Sequence, residues 1–240
     1  VQLEDRVPGQ PAAYRSAGNV LLSRILGAEM LTYPEGEDET GADAALHQKA
    51  EMLRAEGRTP YVIPLSEGHP PLGALGYVDA AAEILGQSGD FDLFVVGSGS
   101  GATHSGLLAG LRGAGSGAAV IGSCVRRDAE SQSARIARQI GRLIPLYDGA
   151  RRVRDTDIET WDGALAPGYG RIGPLAADAI RRMARFEGLM LDPVYTAKSF
   201  AAIPALVASG RIPTGSRVCF VHTGGLGALF AYGDALVGPE

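Results

Sequence analysis

The stretch Phe91-Asp-Leu-Phe-Val-Val-Gly-Ser-Gly-Ser-Gly-Ala-Thr-His-Ser-Gly-Leu-Leu-Ala-Gly-Leu111 constrains the fold more than any other part of the chain. Leu93 to Val96 is a short apolar run of the kind that a parallel sheet buries on both faces. Gly97, Gly99 and Gly101 follow at alternate positions and permit backbone angles and close approaches that a Cβ resists. Thr103 is the expected N-cap of the next helix, on which Leu107, Leu108 and Leu111 fall at helical spacing. A helix N-terminus leaves N–H groups unpaired and carries partial positive charge. A glycine turn in front of it therefore makes a seat for a phosphate. The plain alternative is a tight connection with nothing bound, but three alternating glycines exceed what a turn needs. A branched side chain at Gly101 is expected to intrude on the space for the phosphate.

The rest of the chain alternates strands and helices around this element. Val1–Glu4 reads as the end of a strand, Gly18–Leu26 as a helix, Ala28–Thr32 as a strand and Asp43–Ala55 as a helix. Tyr61–Leu65 reads as a strand that runs into a loop with Gly68, Pro70 and Pro71. That loop divides a smaller lobe, residues 1–70, from a larger one, residues 71–240. Beyond it come a helix over Ala74–Leu85, the central strand and glycine turn, and a strand over Ala118–Gly122. An amphipathic helix follows over Ser131–Arg142, then an irregular stretch over Arg151–Tyr169 with a short strand near Val153. A helix over Pro174–Phe186 has its proline in the first turn. A motif and helix occupy Val194–Ser209, and a last strand over Arg217–Val221 ends in His222-Thr-Gly-Gly225. The alternation predicts an α/β fold built on open, mainly parallel sheets, with ligands beyond the carboxyl ends of the strands.

Composition narrows the function. A 240-residue chain that is 45% hydrophobic can bury a sizeable core, and a net charge of -5 argues against a nucleic-acid role. No apolar run is long enough to cross a membrane, and no signal peptide is evident. Cys124 and Cys219 are the only cysteines, each in an apolar run, which fits free thiols in a reducing cytoplasm. His47, His69, His104 and His222 show no metal-ligand spacing, so no metal site is expected. Two phosphate ligands remain open from the residues alone. Gly97, Gly99 and Ala102 fit the dinucleotide pattern, with Arg126 and Arg127 able to meet a 2′-phosphate, which would make an NADP-linked oxidoreductase. Alternatively, the N–H groups from Gly99 to Thr103 wrap a single phosphate ester.

Three further stretches decide between these: Pro167-Gly-Tyr-Gly170, Leu191-Asp-Pro-Val-Tyr-Thr-Ala-Lys198 and Phe220-Val-His-Thr-Gly-Gly225. With Gly97–His104, Gly18-Asn-Val-Leu-Leu22 and Pro71-Leu-Gly-Ala-Leu-Gly-Tyr77, they occur nearly end to end and in order. In these motifs the chain resembles the pyridoxal-phosphate enzymes of the D-cysteine desulfhydrase and 1-aminocyclopropane-1-carboxylate deaminase family. The resemblance implies the fold-type II architecture shared with the tryptophan synthase β chain, a large cofactor domain beside a smaller one, and a homodimer. It implies that Gly99, Ser100, Gly101, Ala102 and Thr103 hold the cofactor phosphate, and that Thr196 and Thr223 belong to the cofactor site. Thr223 would face the pyridine nitrogen, while Tyr195 and Tyr169 would face substrate as hydrogen-bond donors or proton carriers. Core packing for the tyrosines and a helix N-cap for Thr223 are the plain alternatives.

The resemblance implies a pyridoxal-phosphate lyase that eliminates a β-substituent from a small amino acid. D-cysteine giving pyruvate, sulfide and ammonia comes first, with L-cysteate as a relative. The deaminase branch typically carries Glu after the motif tyrosine and Leu after the late-strand histidine. Thr196 and Thr223 stand there instead, which favours elimination over opening of a cyclopropane ring. The family's Schiff-base lysine lies in an early Gly-Gly-Asn-Lys segment, and this sequence starts beyond it. The only lysines are Lys49, expected on a solvated helix face, and Lys198, expected in a supporting role near Tyr195. A non-catalytic remnant that holds the cofactor weakly is therefore the reading from another functional class.

Overall fold

The computed structural model describes residues 1–10 and 12–237. The chain forms two compact units, Val1–Pro70 and Pro71–Glu240. In the first, β1 (Gln2–Glu4) pairs in parallel with β2 (Leu31–Tyr33), and α1 (Gly18–Ile25) lies between them in sequence. Helix α2 (Glu39–Ala55) begins four residues earlier than its apolar spacing indicates, because Asp38 caps it by accepting from the Gly41 N–H at 2.8 Å.

Residues 61–65 form no strand. Pro64 has no N–H to give to a ladder, and the Leu65 and Ser66 N–H groups donate to the Asp43 carboxylate instead, at 3.2 and 3.1 Å.

The second unit is a four-stranded, all-parallel sheet in the order β5-β4-β3-β6. Its strands are β3 (Leu93–Ser98), β4 (Ala119–Cys124), β5 (Glu159–Trp161) and β6 (Val218–Phe220). The helices are α3 (Leu72–Ser88), α4 (Ala102–Gly113), α5 (Ala129–Leu143), α6 (Pro174–Glu187) and α7 (Thr196–Ala208), with two short ones, α8 (Leu226–Leu229) and α9 (Gly233–Val237). The continuous apolar run of β3 splits by alternation. Phe94 and Val96 pack with Ala81 of α3 and Leu107, Leu108 and Leu111 of α4. Leu93 and Val95 pack on the other face with Ala202 and Leu206 of α7. The strand sought near Val153 lies at Glu159–Trp161, beside β4, because Val153 closes a 3-10 turn. Among the described residues, no helix is long and apolar enough to cross a membrane.

Close packing of α3 on α4 sets where the glycine turn emerges. A Cβ on Gly106 would fall on the Ala74 carbonyl oxygen, and one on Gly110 would sit 2.7 Å from the Ala81 Cβ. Gly76, on α3, has open space at the same position. Gly106→Ala should therefore lower unfolding stability by about 1–3 kcal/mol, the usual cost of overpacking. Gly76→Ala should be neutral or slightly stabilising. Denaturant titration of both variants checks this, and equal effects would contradict it.

Candidate active site

The glycine turn is held from behind. All four carbonyls from Ser98 to Gly101 have donors. Ser98 O accepts from the Val125 N–H at 3.2 Å and Gly101 O from the Ser105 N–H at 2.9 Å. Gly99 O accepts from Gln132 Nε2 at 3.2 Å and from Arg127 Nη1 at 3.1 Å. Ser100 O accepts from Arg135 Nε and from Gln139 Nε2, both at 2.7 Å. Gln132, Arg135 and Gln139 form a buried row on α5 at helical spacing.

The N–H groups of Gly99 to His104 find no acceptor among the described residues. Carbonyls engaged and amides unengaged make a seat for an anion at the start of α4. Gly101, at φ +100°, is the N-cap of α4, so Thr103 lies inside the first turn rather than capping it. Its half-buried hydroxyl makes no cap bond. A Cβ on Gly101 would meet Ile136 Cδ1 at 2.9 Å and Gln139 Oε1 at 3.1 Å, so it would strike α5 rather than fill the anion's space. Arg127, expected as one partner of a 2′-phosphate, is tied by Nη1 to the Gly99 carbonyl.

Two other stretches meet this turn. Tyr195 stands just before α7, and a Cβ on Gly99 would lie 3.4 Å from its Cε1. The Tyr195 and Tyr169 hydroxyls are 2.6 Å apart, with the rings edge to face. Asp192 sets up this corner. Its Oδ2 accepts from the N–H groups of Val194 and Tyr195, and its Oδ1 from the N–H and hydroxyl of Thr196, at 2.7–2.9 Å. Thr196 is buried, and its one hydroxyl proton goes to Asp192. A Cβ on Gly225 would be 2.8 Å from the Asp192 Cβ, so the loop after β6 lies against the same carboxylate. Thr223, in that loop, is exposed, and Gly225 rather than Thr223 caps α8. Because β6 runs parallel beside β3, both loops leave the carboxyl end of the sheet.

Lys198 is fully buried, and its Nζ donates to Leu165 O at 2.9 Å and Gly168 O at 2.7 Å. Burial lowers its pKa to about 8. Lys49 is on α2 and pairs with Glu29 at 2.8 Å. The α5 row escapes sequence reading because polar residues at helical spacing pass for a solvated face. The available signal was Gln132, Arg135 and Gln139 sharing a stripe with Ile136. Asp192 had a local signal too, an Asp-Pro step four residues before Thr196. No group of three or more His, Cys, Asp or Glu among the described residues is arranged to hold a metal.

His104 is buried beneath the turn, with Nδ1 3.2 Å from Ser98 Oγ, which also accepts from Gln132 Nε2 at 2.8 Å. A neutral ring with its proton on Nε2 lets the serine hydroxyl donate to Nδ1. Burial lowers the His104 pKa from 6.5 to about 4, against a weaker backbone contact with Val120. A Cβ on Gly122 would overlap the ring, so the imidazole is packed against β4.

The comparisons with known proteins agree in one direction. The model of the pyridoxal-phosphate dependent enzyme family matches residues 10–224. A 1-aminocyclopropane-1-carboxylate deaminase of Methylobacterium nodulans is 36% identical, over 95% of this chain and 68% of that protein. A D-cysteine desulfhydrase of Salmonella paratyphi C is 34% identical, over 96% of this chain and 69% of that protein. A solved structure of an ACC deaminase homologue superposes with a TM-score of 0.81 at 34% identity, covering 98% of this chain and 68% of that one.

Because the folded pKa of His104 lies below the unfolded one, folding selects the neutral ring. Its contribution is full above about pH 6.5 and is lost as pH falls toward 4. Wild type should therefore lose about 3 kcal/mol relative to His104→Gln over that window, at 1.36 kcal/mol per pKa unit. Denaturant midpoints of both proteins across the range check this, and a pH-independent difference would contradict it.

Proposed function

The chain belongs to the pyridoxal-phosphate-dependent enzyme family, and from that premise we propose that it is a lyase removing the β-substituent from a small amino acid. D-cysteine and water would give pyruvate, sulfide and ammonia, and L-cysteate losing sulfite is the related case. The observation that carries this reading is the meeting of the unengaged N–H groups of Gly99 to Thr103 with a phenol pair 2.6 Å apart.

The anion seat fits the cofactor's phosphate ester, because its donors have no acceptors of their own. The backbone of Gly99, Ser100, Gly101 and Ala102 and the hydroxyl of Thr103 hold that phosphate in this reading. Bound there, pyridoxal phosphate supplies an electron sink for the pair left on the substrate's α-carbon. The residues around it do the positioning. Tyr195, against the turn, is joined to Tyr169 by one phenol proton, and the other phenol proton of the pair can be donated to the substrate. Thr223, in the loop after β6, would offer its hydroxyl to the pyridine nitrogen. Thr196 contributes through Asp192, to which its hydroxyl is bound.

A hydroxyl at positions 196 and 223 brings no negative charge, so the ring nitrogen is not driven to protonate, and elimination is favoured. The second reading, ring-opening deamination, is supported by the names of relatives 36% identical to this chain. The unit Pro71–Glu240 is the cofactor domain in this account, and Val1–Pro70 the smaller one. A cytoplasmic homodimer completes the reading, supported by the two free cysteines and by the resemblance.

Incubation of the complete gene product with pyridoxal phosphate and D-cysteine, L-cysteate or 1-aminocyclopropane-1-carboxylate, followed by mass spectrometry, tests the reaction. Pyruvate from a β-substituted substrate with little 2-oxobutanoate is expected, and abundant 2-oxobutanoate would overturn it. Thr103→Ala should weaken cofactor binding by about 1.5–3 kcal/mol, the range for a hydrogen bond to a charged group. An absorbance titration reads this, and unchanged affinity would remove Thr103 from the seat.

A further inference from the structure

We propose that Lys198 is a positioning residue for the Tyr169–Tyr195 phenol pair, fastening the turn that carries one tyrosine to the helix that starts beside the other. This deepens the reading above, since it takes the phenol pair to serve the reaction.

A buried ammonium is costly unless it is paired and fully hydrogen-bonded. Lys198 is fully buried, and among the described residues no carboxylate lies within ion-pair distance of it. Its Nζ goes instead to two backbone carbonyls, Leu165 and Gly168, in a segment with no helix or strand. A hydrophobic side chain would fill this volume at lower cost, so the donors have a job.

Their placement shows what the job is. Gly168 immediately precedes Tyr169, and Lys198 follows Tyr195 by three residues on one helical turn. The contacts therefore close a ring: from Tyr195 along α7 to Lys198, through Nζ to the Gly168 carbonyl, on to Tyr169, and across 2.6 Å to the Tyr195 hydroxyl. On the far side of Tyr169, the Gly170 carbonyl accepts from Tyr232 Oη at 2.7 Å. The flanking glycines have φ of +129° and +64°, so no regular ladder holds the turn. Helix α7 is itself anchored, since Ser123 Oγ of β4 donates to the Lys198 carbonyl at 3.0 Å and Ser199 Oγ to the Tyr195 carbonyl at 2.7 Å. Lys198 thus transmits the position of the sheet to Tyr169.

A double-mutant cycle tests this with a readout independent of turnover. The full chain carries 13Cζ-labelled tyrosine and is loaded with pyridoxal phosphate, and the Tyr195 resonance is assigned by Tyr195→Phe. In wild type, Tyr169→Phe should move the Tyr195 resonance. In Lys198→Met, and in Lys198→Gln should the methionine variant not fold, the same change should move it by less than about half as much. Lys198→Arg should restore most of the coupling. In the same proteins, turnover of D-cysteine should fall at least about tenfold in Lys198→Met with KM little changed, and Lys198→Met should cost nothing further once Tyr169 is Phe. An undiminished Tyr169–Tyr195 coupling in the Lys198 variants would overturn the proposal. Loss of coupling in a protein that turns over none of the amino acids would leave the positioning role intact and condemn the lyase reading instead.

Discussion

The candidate site depends on which way four peptide groups face. A glycine turn before a helix can present carbonyls or N–H groups to whatever enters, and only the second arrangement suits a dianion. Here the choice is made from outside the turn. Gln132, Arg135 and Gln139, projecting from α5, take the carbonyls of Gly99 and Ser100, and Arg127 adds a second donor to Gly99. Each buried polar side chain would be a liability alone, and each is satisfied by the turn it orients. The Gln132 Oε1 and His104 Nε2 atoms are the exceptions, buried beneath the same turn and making no hydrogen bond among the described residues.

The neighbouring corner follows the same logic with an anion in place of cations and amides. Asp192 gathers the N–H groups of Val194, Tyr195 and Thr196, so α7 starts at a fixed point with Tyr195 facing the glycine turn. The loop after β6 packs on the same carboxylate with no side chain at Gly225 to separate them. The unengaged amides and the phenol pair are thus brought together by polar side chains that belong to neither.

Much of this was legible in the sequence, and the exceptions share a cause. The β3–turn–α4 unit declared itself because an apolar run, alternating glycines and a leucine stripe are all local signals. The order of strands and helices, and the family, followed from motifs of a few residues each. Thr103 misled as an N-cap because Gly101 can adopt φ +100° and take that place, which leaves the threonine hydroxyl uncommitted. Tyr61–Leu65 has a strand's composition, but Pro64 has no N–H to give and the Leu65 N–H goes to the Asp43 carboxylate. The three-residue strand Glu159–Trp161 is defined by its partner, β4, rather than by its own residues. The α5 row and Lys198 are buried polar groups, and sequence patterning assigns polar residues to water by default. Their roles exist only once residues 30 or more apart are in contact.

If the amides of Gly99 to His104 receive the cofactor's phosphate, backbone hydrogen exchange reads it residue by residue. Exchange of those amides should be compared in the protein alone and after saturation with pyridoxal phosphate. They should exchange readily in the free protein and slow sharply on loading, while the already bonded amides of β3 change little. Saturable binding of pyridoxal phosphate with no slowing at Gly99 to His104 would contradict it, and would move the phosphate to some other part of the chain.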